Sequence, residues 1–381
     1  MSYELIDTEE GLARLTQSLQ GVRRIALDLE AAGFHRFSDQ LCLVQLSTQE
    51  GTHLLDPLAL DLRETLKPLL EDPEIQVIMH GADFDIRLLD RDLDIHLQGL
   101  FDTQTAASLL GAQAIGLASL LEEHLGVDLS KKHQRADWAQ RPLPKGMLAY
   151  AAADTRHLMA LADLLRKKLD EKGRLAWARE EFELLEGIRW EEDDSDPVLR
   201  VKGARELTPR AVTALREAMT WRDEIARDRD RAPFRIVGDS VLFSVVVERP
   251  SSVEELSGMK GISPRLAEQE GADLLARLQR VDTLPEDALL PYPRYRSNGP
   301  GRPTPEEEAL ANRIRDLRTE EARALKLDRG VLLSNAQIME IVRQAPSNQT
   351  ELNEVPGLRR WQADILGEGI LNLLDRSGSQ V

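Results

Sequence analysis

The segment Ile25-Ala26-Leu27-Asp28-Leu29-Glu30 is an apolar run that ends in two acidic residues. In a β-strand, residues two apart point to the same face, so Asp28 and Glu30 share one face and the leucines occupy the other. Carboxylates at the end of a buried strand are costly unless cations or hydrogen bonds compensate their charge. The segment therefore predicts a core strand with a metal-binding pair, although an isolated Asp-x-Glu pattern is more often a solvated strand end.

Around this strand, short apolar runs alternate with amphipathic stretches over about the first 190 residues, which is an α/β pattern. Strands are predicted over residues 24–29, 41–47, 53–56 and 75–80. Helices are predicted after Thr8, from Pro144 onward, and over residues 62–70, 84–90, 103–110 and 117–125. Because three strands follow one another with short links, we expect a mixed sheet.

The second half of the chain contains an internal repeat. A constant offset of 96 residues pairs Arg222 with Arg318 and Gly261 with Gly357, among other matches. Glycine at such a turn permits a positive φ and lets a helix N-terminus approach a phosphate. The alternative is that the repeats only pack helices together. An acidic stretch and a Pro- and Gly-rich segment flank the first copy. We predict an α/β domain (1–190), two all-α domains (207–287 and 303–376) and linkers (191–206 and 288–302).

A second acidic motif, His80-Gly81-Ala82-Asp83-Phe84-Asp85, follows a predicted strand and opens a helix. If this strand neighbours the first one, Asp85 reaches the same edge of the sheet as Asp28. Asp83 stands where an N-cap is expected, so Asp85 is the predicted ligand. We expect His80 to be a packed or hydrogen-bonded residue at the end of the strand.

A third motif contains Tyr150 and Asp154, separated by three alanines. The spacing of four places both side chains on one face of a helix, and the alanines let this helix lie close to the sheet. The alternative is a helix whose tyrosine belongs to the core and whose aspartate is exposed.

Together, the order, contexts and residue types of the three motifs resemble those of the DEDD exonucleases, in the subgroup with a tyrosine. The related subgroup has a histidine five residues before the last aspartate, where this chain has Ala149. The resemblance covers about the first half of the chain and includes residues 130–143. The repeats are similar to tandem HRDC modules, and this domain order resembles that of the ribonuclease D family.

The resemblance implies a ribonuclease H-like fold in which Asp28, Glu30, Asp85 and Asp154 hold two divalent ions. Magnesium or manganese suits such hard oxygen ligands. Tyr150 would orient the attacking water. The implied activity is that of a 3′–5′ exoribonuclease that releases mononucleotides, acting on transfer RNA precursors and other small structured RNAs. A DNA 3′ exonuclease and a non-catalytic nucleic-acid-binding scaffold remain alternatives.

Two basic segments are candidates for RNA contacts. Lys132, Gln134 and Arg135 are predicted phosphate contacts, with a solvated basic loop as the alternative. The repeats, with the basic residues 294–302, are predicted to help grip structured RNA.

Composition limits the possibilities further. The net charge of −17 favours transient, metal-assisted RNA binding over the tight binding of a basic coat protein. Cys42 is the only cysteine, which excludes an intrachain disulfide, and it lies in an apolar run as a small core residue. The sequence shows neither a membrane span nor a secretory signal. We expect a cytoplasmic monomer that binds RNA and does not bind a membrane.

Overall fold

A computed structural model describes residues 3–130, 132–293 and 301–378 of the chain. The N-terminal domain contains a six-stranded sheet with the order β1-β4-β3-β2-β5-β6. Its strands are β1 (Tyr3–Ile6), β2 (Arg24–Ala31), β3 (Leu41–Ser47), β4 (Thr52–Leu55), β5 (Gln76–Met79) and β6 (Leu100–Asp102). Strand β3 is antiparallel to β2 and β4, and the other pairs are parallel, so the predicted mixed sheet is confirmed.

Strand β2 lies inside the sheet, between β3 and β5. Ile25 and Leu27 are fully buried and Leu29 is nearly so. Every residue of β3 is buried, which is typical of a sheet that is covered on both faces. Because β2 and its neighbours are buried, the position of Asp28 in the sheet is fixed.

Eight helices surround this sheet, α1 (Glu9–Ser18), α2 (Arg63–Leu70), α3 (Asp83–Leu93), α4 (Thr103–Leu110), α5 (Leu117–Leu125), α6 (Lys145–Arg156), α7 (Leu158–Glu171) and α8 (Leu175–Glu186). Thr8 caps α1 by accepting a hydrogen bond from the Gly11 amide, as predicted. The prediction that Asp83 is an N-cap is wrong. Ala82 precedes the first helical residue, and Asp83 forms an ion pair with Arg87 at 3.2 Å.

The predicted repeat is visible as two sets of five helices. The first set is α9 (Pro209–Asp228), α10 (Pro233–Ile236), α11 (Asp239–Glu248), α12 (Val253–Gly258) and α13 (Pro264–Thr283). The second is α14 (Pro305–Leu325), α15 (Arg329–Leu332), α16 (Asn335–Gln344), α17 (Gln349–Asn353) and α18 (Arg360–Gly378). Arg222 donates to the Val237 carbonyl and Arg318 to the Leu333 carbonyl, so the two arginines have equivalent roles. Gly261 and Gly357 both have the positive φ that was predicted.

The first helical domain contacts a loop of the N-terminal domain. The Ala232 amide donates to the His35 carbonyl at 3.1 Å, and Arg36 pairs with Asp230 at 3.0 Å. Part of the predicted linker 191–206 is folded, since the 3₁₀ helix Pro197–Arg200 places Val198 in the core of this domain. The domain bounds themselves remain a prediction.

The second helical domain packs against α8. The Trp177 and Trp361 rings stack with their centroids 4.8 Å apart, and Arg359 pairs with Glu181 at 3.2 Å. Arg174 also donates to the Leu325 carbonyl at 2.7 Å. Most of the basic segment 294–302, predicted to contact RNA, lies outside the described residues, as does Lys131. In the described ranges, none of the helices combines the length and apolar character needed to cross a bilayer.

Candidate active site

A cavity of about 400 Å³ brings together residues from the first and third acidic motifs. Asp28 and Glu30 come from β2, and Tyr150 and Asp154 come from α6. Its polar lining also includes His80, Gln104, Ser119, Ser130 and Gln134. Residues distant in the chain thus meet in one concave site.

Three carboxylates in this cavity could hold a cation. One oxygen each of Asp28, Glu30 and Asp154 lies within 4.8 Å of the other two. The approach of α6 to the sheet makes this possible, since the helix packs on β2, β3 and β4 and buries Ala151 and Ala152 completely. Asp154 is only 7% exposed, so the alternative of an exposed aspartate on this helix is wrong.

Asp85 approaches the same group from α3 but is not one of the three clustered carboxylates. It is 9% exposed, and its pKa is raised by burial first and then by the charges of Asp28 and Asp102. Strands β2 and β5 are neighbours, as the prediction for Asp85 required. Asp102 accepts hydrogen bonds from the Ala82 and Thr105 amides, which ties the turn before α3 to the start of α4.

Burial and mutual repulsion raise the pKa values of the clustered carboxyls. Burial, followed by the charges of Asp28, Asp154 and Asp85, raises the pKa of Glu30 to about 10. Burial also raises the pKa of Asp154 to about 8 and that of Asp28 to about 7. Among the described residues, no lysine or arginine forms an ion pair with any of these carboxyls. The site therefore lacks the positive charge that would keep several carboxylates ionised together.

The donor set fits a hard divalent cation. All of its candidate ligand atoms are carboxylate oxygens, which magnesium and manganese prefer. Gln45 pairs with Asp28 across the two strands, so both side chains lie on the same face of the sheet. The Gln45 side chain is fully buried, and neither of its amide atoms has a hydrogen-bond partner in the described part of the chain. Such an orphaned polar group suits a hydrated ion nearby.

Tyr150 is positioned to donate a hydrogen bond in the cavity. Burial, followed by the charges of Asp154 and Glu30, raises the pKa of its phenol well above the ordinary value of 10. The ring contacts His133 and Trp138 edge-on or tilted, at centroid distances of 5.9 and 6.1 Å. The hydroxyl therefore stays protonated at neutral pH and can orient a water molecule.

The remaining predicted residues have different positions. His80 is a hydrogen-bonded residue at the end of its strand, as expected, with Nδ1 2.9 Å from the Thr103 hydroxyl. Gln134 lines the cavity, whereas Lys132 and Arg135 are exposed and do not. Sequence reasoning missed Gln45 and Asp102, because a single polar residue in an apolar run carries no motif.

Comparisons with known families cover most of the chain. A family model described as a 3′–5′ exonuclease matches residues 3–170. A model of the HRDC domain matches twice, over residues 213–278 and 307–374. The two HRDC matches fall within the two sets of repeated helices.

Individual relatives extend the similarity over the full length. The chain is 31% identical to ribonuclease D of Escherichia coli, over 98% of this chain and 99% of that protein. The crystal structure of that enzyme, described as an exoribonuclease involved in structured RNA processing, matches with a TM-score of 0.69, at 30% identity and 99% coverage of both chains. A protein from Bifidobacterium adolescentis matches with a TM-score of 0.83, at 25% identity, over 98% of this chain and 97% of that one. The chain therefore belongs to the ribonuclease D family.

Proposed function

We propose that this chain is a 3′–5′ exoribonuclease that hydrolyses the terminal phosphodiester of RNA and releases mononucleotides. The observation that carries the proposal is the convergence of Asp28, Glu30 and Asp154 beside Tyr150 in one cavity, with no protein cation paired to them in the described residues. Family membership supports it, because ribonuclease D of Escherichia coli is described as an exoribonuclease.

The metal site would consist of Asp28, Glu30 and Asp154, with Asp85 completing it for a second ion. We propose two ions, magnesium or manganese, from the all-oxygen ligand set. When bound, such ions supply positive charge that stabilises the attacking and leaving oxygens of a phosphoryl displacement. The raised pKa values of these carboxyls mean that the protein gives up protons when it takes up the ions.

The protein's own groups would position the reactants. The Tyr150 hydroxyl, protonated at neutral pH, donates a hydrogen bond to the water that attacks the terminal phosphorus. The oxygen of that water forms the new bond to phosphorus while the P–O3′ bond breaks. The proton that the water loses is matched by the proton that O3′ gains, so the products are a nucleoside 5′-monophosphate and a shortened RNA with a 3′ hydroxyl. Gln134 in the cavity, with Lys132 and Arg135 outside it, would contact phosphates of the same strand.

The proposed substrates are the 3′ ends of transfer RNA precursors and other small structured RNAs. This class is supported by the similarity to the Escherichia coli enzyme, which is involved in structured RNA processing. A monomeric state and a cytoplasmic location remain predictions from the sequence.

A labelled-RNA assay tests the proposal. In magnesium, a 3′-labelled RNA should release labelled mononucleotide from the first time point, and a 5′-labelled RNA should give a ladder that shortens by single nucleotides. EDTA and the substitution Asp28→Asn should both abolish release, whereas Asp170→Asn, at an exposed position of α7, should not. Faster degradation of a matched DNA, shortening from the 5′ end, or activity in Asp28→Asn would contradict the proposal.

A further inference from the structure

Two exposed phenylalanines meet where the N-terminal domain contacts the first helical domain. Phe34 is 40% exposed and Phe234 is 53% exposed, and their ring centroids lie 5.5 Å apart. One ring comes from each domain, so the contact between the domains creates the pair. Exposed aromatic faces side by side form a surface on which unpaired bases stack, whatever their sequence.

Arginine side chains surround this aromatic pair. The Arg235 guanidinium lies 4.8 Å from the Phe34 ring centroid and 6.0 Å from that of Phe234. It is fixed by donating to the Phe34 carbonyl at 2.7 Å. The Arg135 guanidinium lies 5.7 Å from the Phe34 ring centroid. Cationic groups beside aromatic faces are suited to a ligand with both bases and phosphates.

A second cavity next to Phe234 is lined by four arginines, Arg229, Arg231, Arg235 and Arg265. Arg229 is neutralised by Glu270, but among the described residues the other three have no carboxylate partner. The three arginines thus form a local group of positive charge in a chain with 66 acidic and 49 basic residues. The cavity also lies at the N-terminus of the 20-residue helix α13, which adds partial positive charge.

Two acidic residues next to this surface, Asp137 and Asp230, are already paired. Arg36 holds Asp137 at 2.8 Å and Asp230 at 3.0 Å. The negative charge of these two residues is therefore largely offset by Arg36, which leaves Arg231, Arg235 and Arg265 free to bind an anion. A polyanion is the class of ligand that this distribution favours.

The surface is connected to the active site through one loop. Gln134 lines the catalytic cavity, and its neighbour Arg135 contacts Phe34. The His35 ring and the Arg135 carbonyl are joined by a 2.8 Å hydrogen bond, which fixes the loop on the aromatic pair. A strand that enters the cavity at Gln134 can thus continue over Phe34 and Phe234 to the arginine-lined cavity.

We propose that this surface, composed of Phe34, Phe234, Arg231, Arg235 and Arg265, binds the single-stranded RNA segment that leads into the active site. Bases stack on the two phenylalanines and backbone phosphates bind the arginines. A duplex would not fit this role, since its bases are already stacked and unavailable to aromatic side chains. The inference rests on the proposed function, because it assigns the path of the same substrate.

Binding experiments on the full chain separate this inference from the proposed function. Fluorescence anisotropy would follow a 5′-labelled single-stranded oligoadenylate in EDTA, where hydrolysis is expected to stop. We expect Arg231→Gln with Arg265→Gln to weaken binding by about 10- to 100-fold and to lower the slope of log affinity against log salt by about 1.4. Phe234→Ala should weaken binding about 10-fold, with little change in that slope.

Matched controls test whether the position or only the net charge matters. Arg280→Gln removes an exposed arginine from the other end of α13, and Val247→Ala truncates an exposed apolar residue of the same domain. Both should bind within about twofold of the wild type, and replacing Arg231 and Arg265 by lysine should restore most of the affinity. Thermal unfolding would verify that each variant is folded.

The inference would be overturned if the Arg231→Gln, Arg265→Gln variant bound the oligoadenylate with wild-type affinity. It would also be overturned if Arg280→Gln lost as much affinity as that variant, or if the variant lost as much affinity for a blunt RNA duplex as for the single strand. The cleavage assay with the wild type is independent of all three. If the wild type degrades the labelled RNA while these variants bind it normally, only the path of the substrate is wrong. If the wild type has no nuclease activity, the proposed function fails instead.

Discussion

Replacing Asp154 by asparagine should stabilise the metal-free protein. Burial raises the pKa of Asp154 from its ordinary value of 3.8 to about 8, so at pH 7 the folded state keeps a proton that the unfolded state has lost. Each pKa unit corresponds to about 1.4 kcal/mol, so this carboxyl lowers the free energy of unfolding at pH 7 by about 4 kcal/mol. In the metal-free protein the Tyr150 hydroxyl donates a hydrogen bond to the Asp154 carboxyl. Weakening this bond in the variant costs about 1 kcal/mol, which leaves a gain of about 3 kcal/mol.

The same reasoning gives the sign of the pH dependence. Because the folded-state pKa values of Asp28, Glu30 and Asp154 are raised, the folded state binds more protons than the unfolded state between about pH 4 and their folded pKa values. The free energy of unfolding in EDTA should therefore fall as the pH rises from 5 to 8. The fall should be smaller in Asp154→Asn, which lacks one of these groups.

Thermal unfolding in EDTA and in magnesium, at pH 5, 7 and 8, measures both effects. At pH 7 in EDTA, the melting temperature of Asp154→Asn should exceed that of the wild type by about 5–10 °C. Magnesium at 100 times its dissociation constant should stabilise the wild type by about 2.7 kcal/mol and the variant by much less. Asp170→Asn, at an exposed position, serves as the control. A variant that is no more stable than the wild type in EDTA would contradict the burial of a charged Asp154. Equal stabilisation of both proteins by magnesium would contradict its role as a ligand.

Three further substitutions test other parts of the structure. Tyr150→Phe should lower kcat by about 10- to 100-fold at nearly unchanged KM, because it removes the hydrogen bond that orients the attacking water, and unchanged kcat would contradict this role. Gly111→Ala should lower the free energy of unfolding by about 1–3 kcal/mol, and with it the melting temperature. Gly111 has φ +83°, and an added Cβ would lie 2.0 Å from the Lys326 carbonyl oxygen. Trp361→Ala should lower the free energy of unfolding by about 3–5 kcal/mol, because the ring no longer stacks on Trp177. Limited proteolysis of this variant should then remove the C-terminal domain first. A variant as resistant to protease as the wild type would contradict this expectation.

Regular elements of the fold were predictable where apolar patterning extends over enough residues. The bounds predicted for β3, α4 and α5 match those observed, because each is a long apolar or amphipathic run with clear ends. Strands β1 and β6, which are the two edge strands of the sheet, were missed. Both acquire their strand character by pairing with a neighbour that is distant in sequence.

The helical repeat was predictable to the residue, since each helix of the second set begins 96 positions after its counterpart. How the domains dock was not. The contacts of Trp361 with α8 and of Asp230 with Arg36 link residues separated by more than 150 positions. No local pattern encodes such pairs.

The parts of the candidate site that depend on residues close in sequence were predictable. Asp28 and Glu30 follow from the alternation of a strand, and Tyr150 and Asp154 follow from helical spacing. The prediction of an N-cap at Asp83 was wrong because α3 already begins at Asp83, and the amide of Ala82 before it donates to the distant carboxylate of Asp102. A residue's type indicates what it can cap, but only the fold decides which partner reaches the amide.

We propose that Asp28, Glu30 and Asp154, with Asp85 beside them, bind the cations that hydrolysis requires. Anomalous diffraction from crystals of the full chain soaked in manganese, compared with crystals of Asp154→Asn soaked in the same way, tests it most directly. We expect anomalous density in contact with the oxygens of these carboxylates in the wild type, and weak or absent density in the variant. Density that is absent from the cavity, or equally strong in the variant, would contradict it.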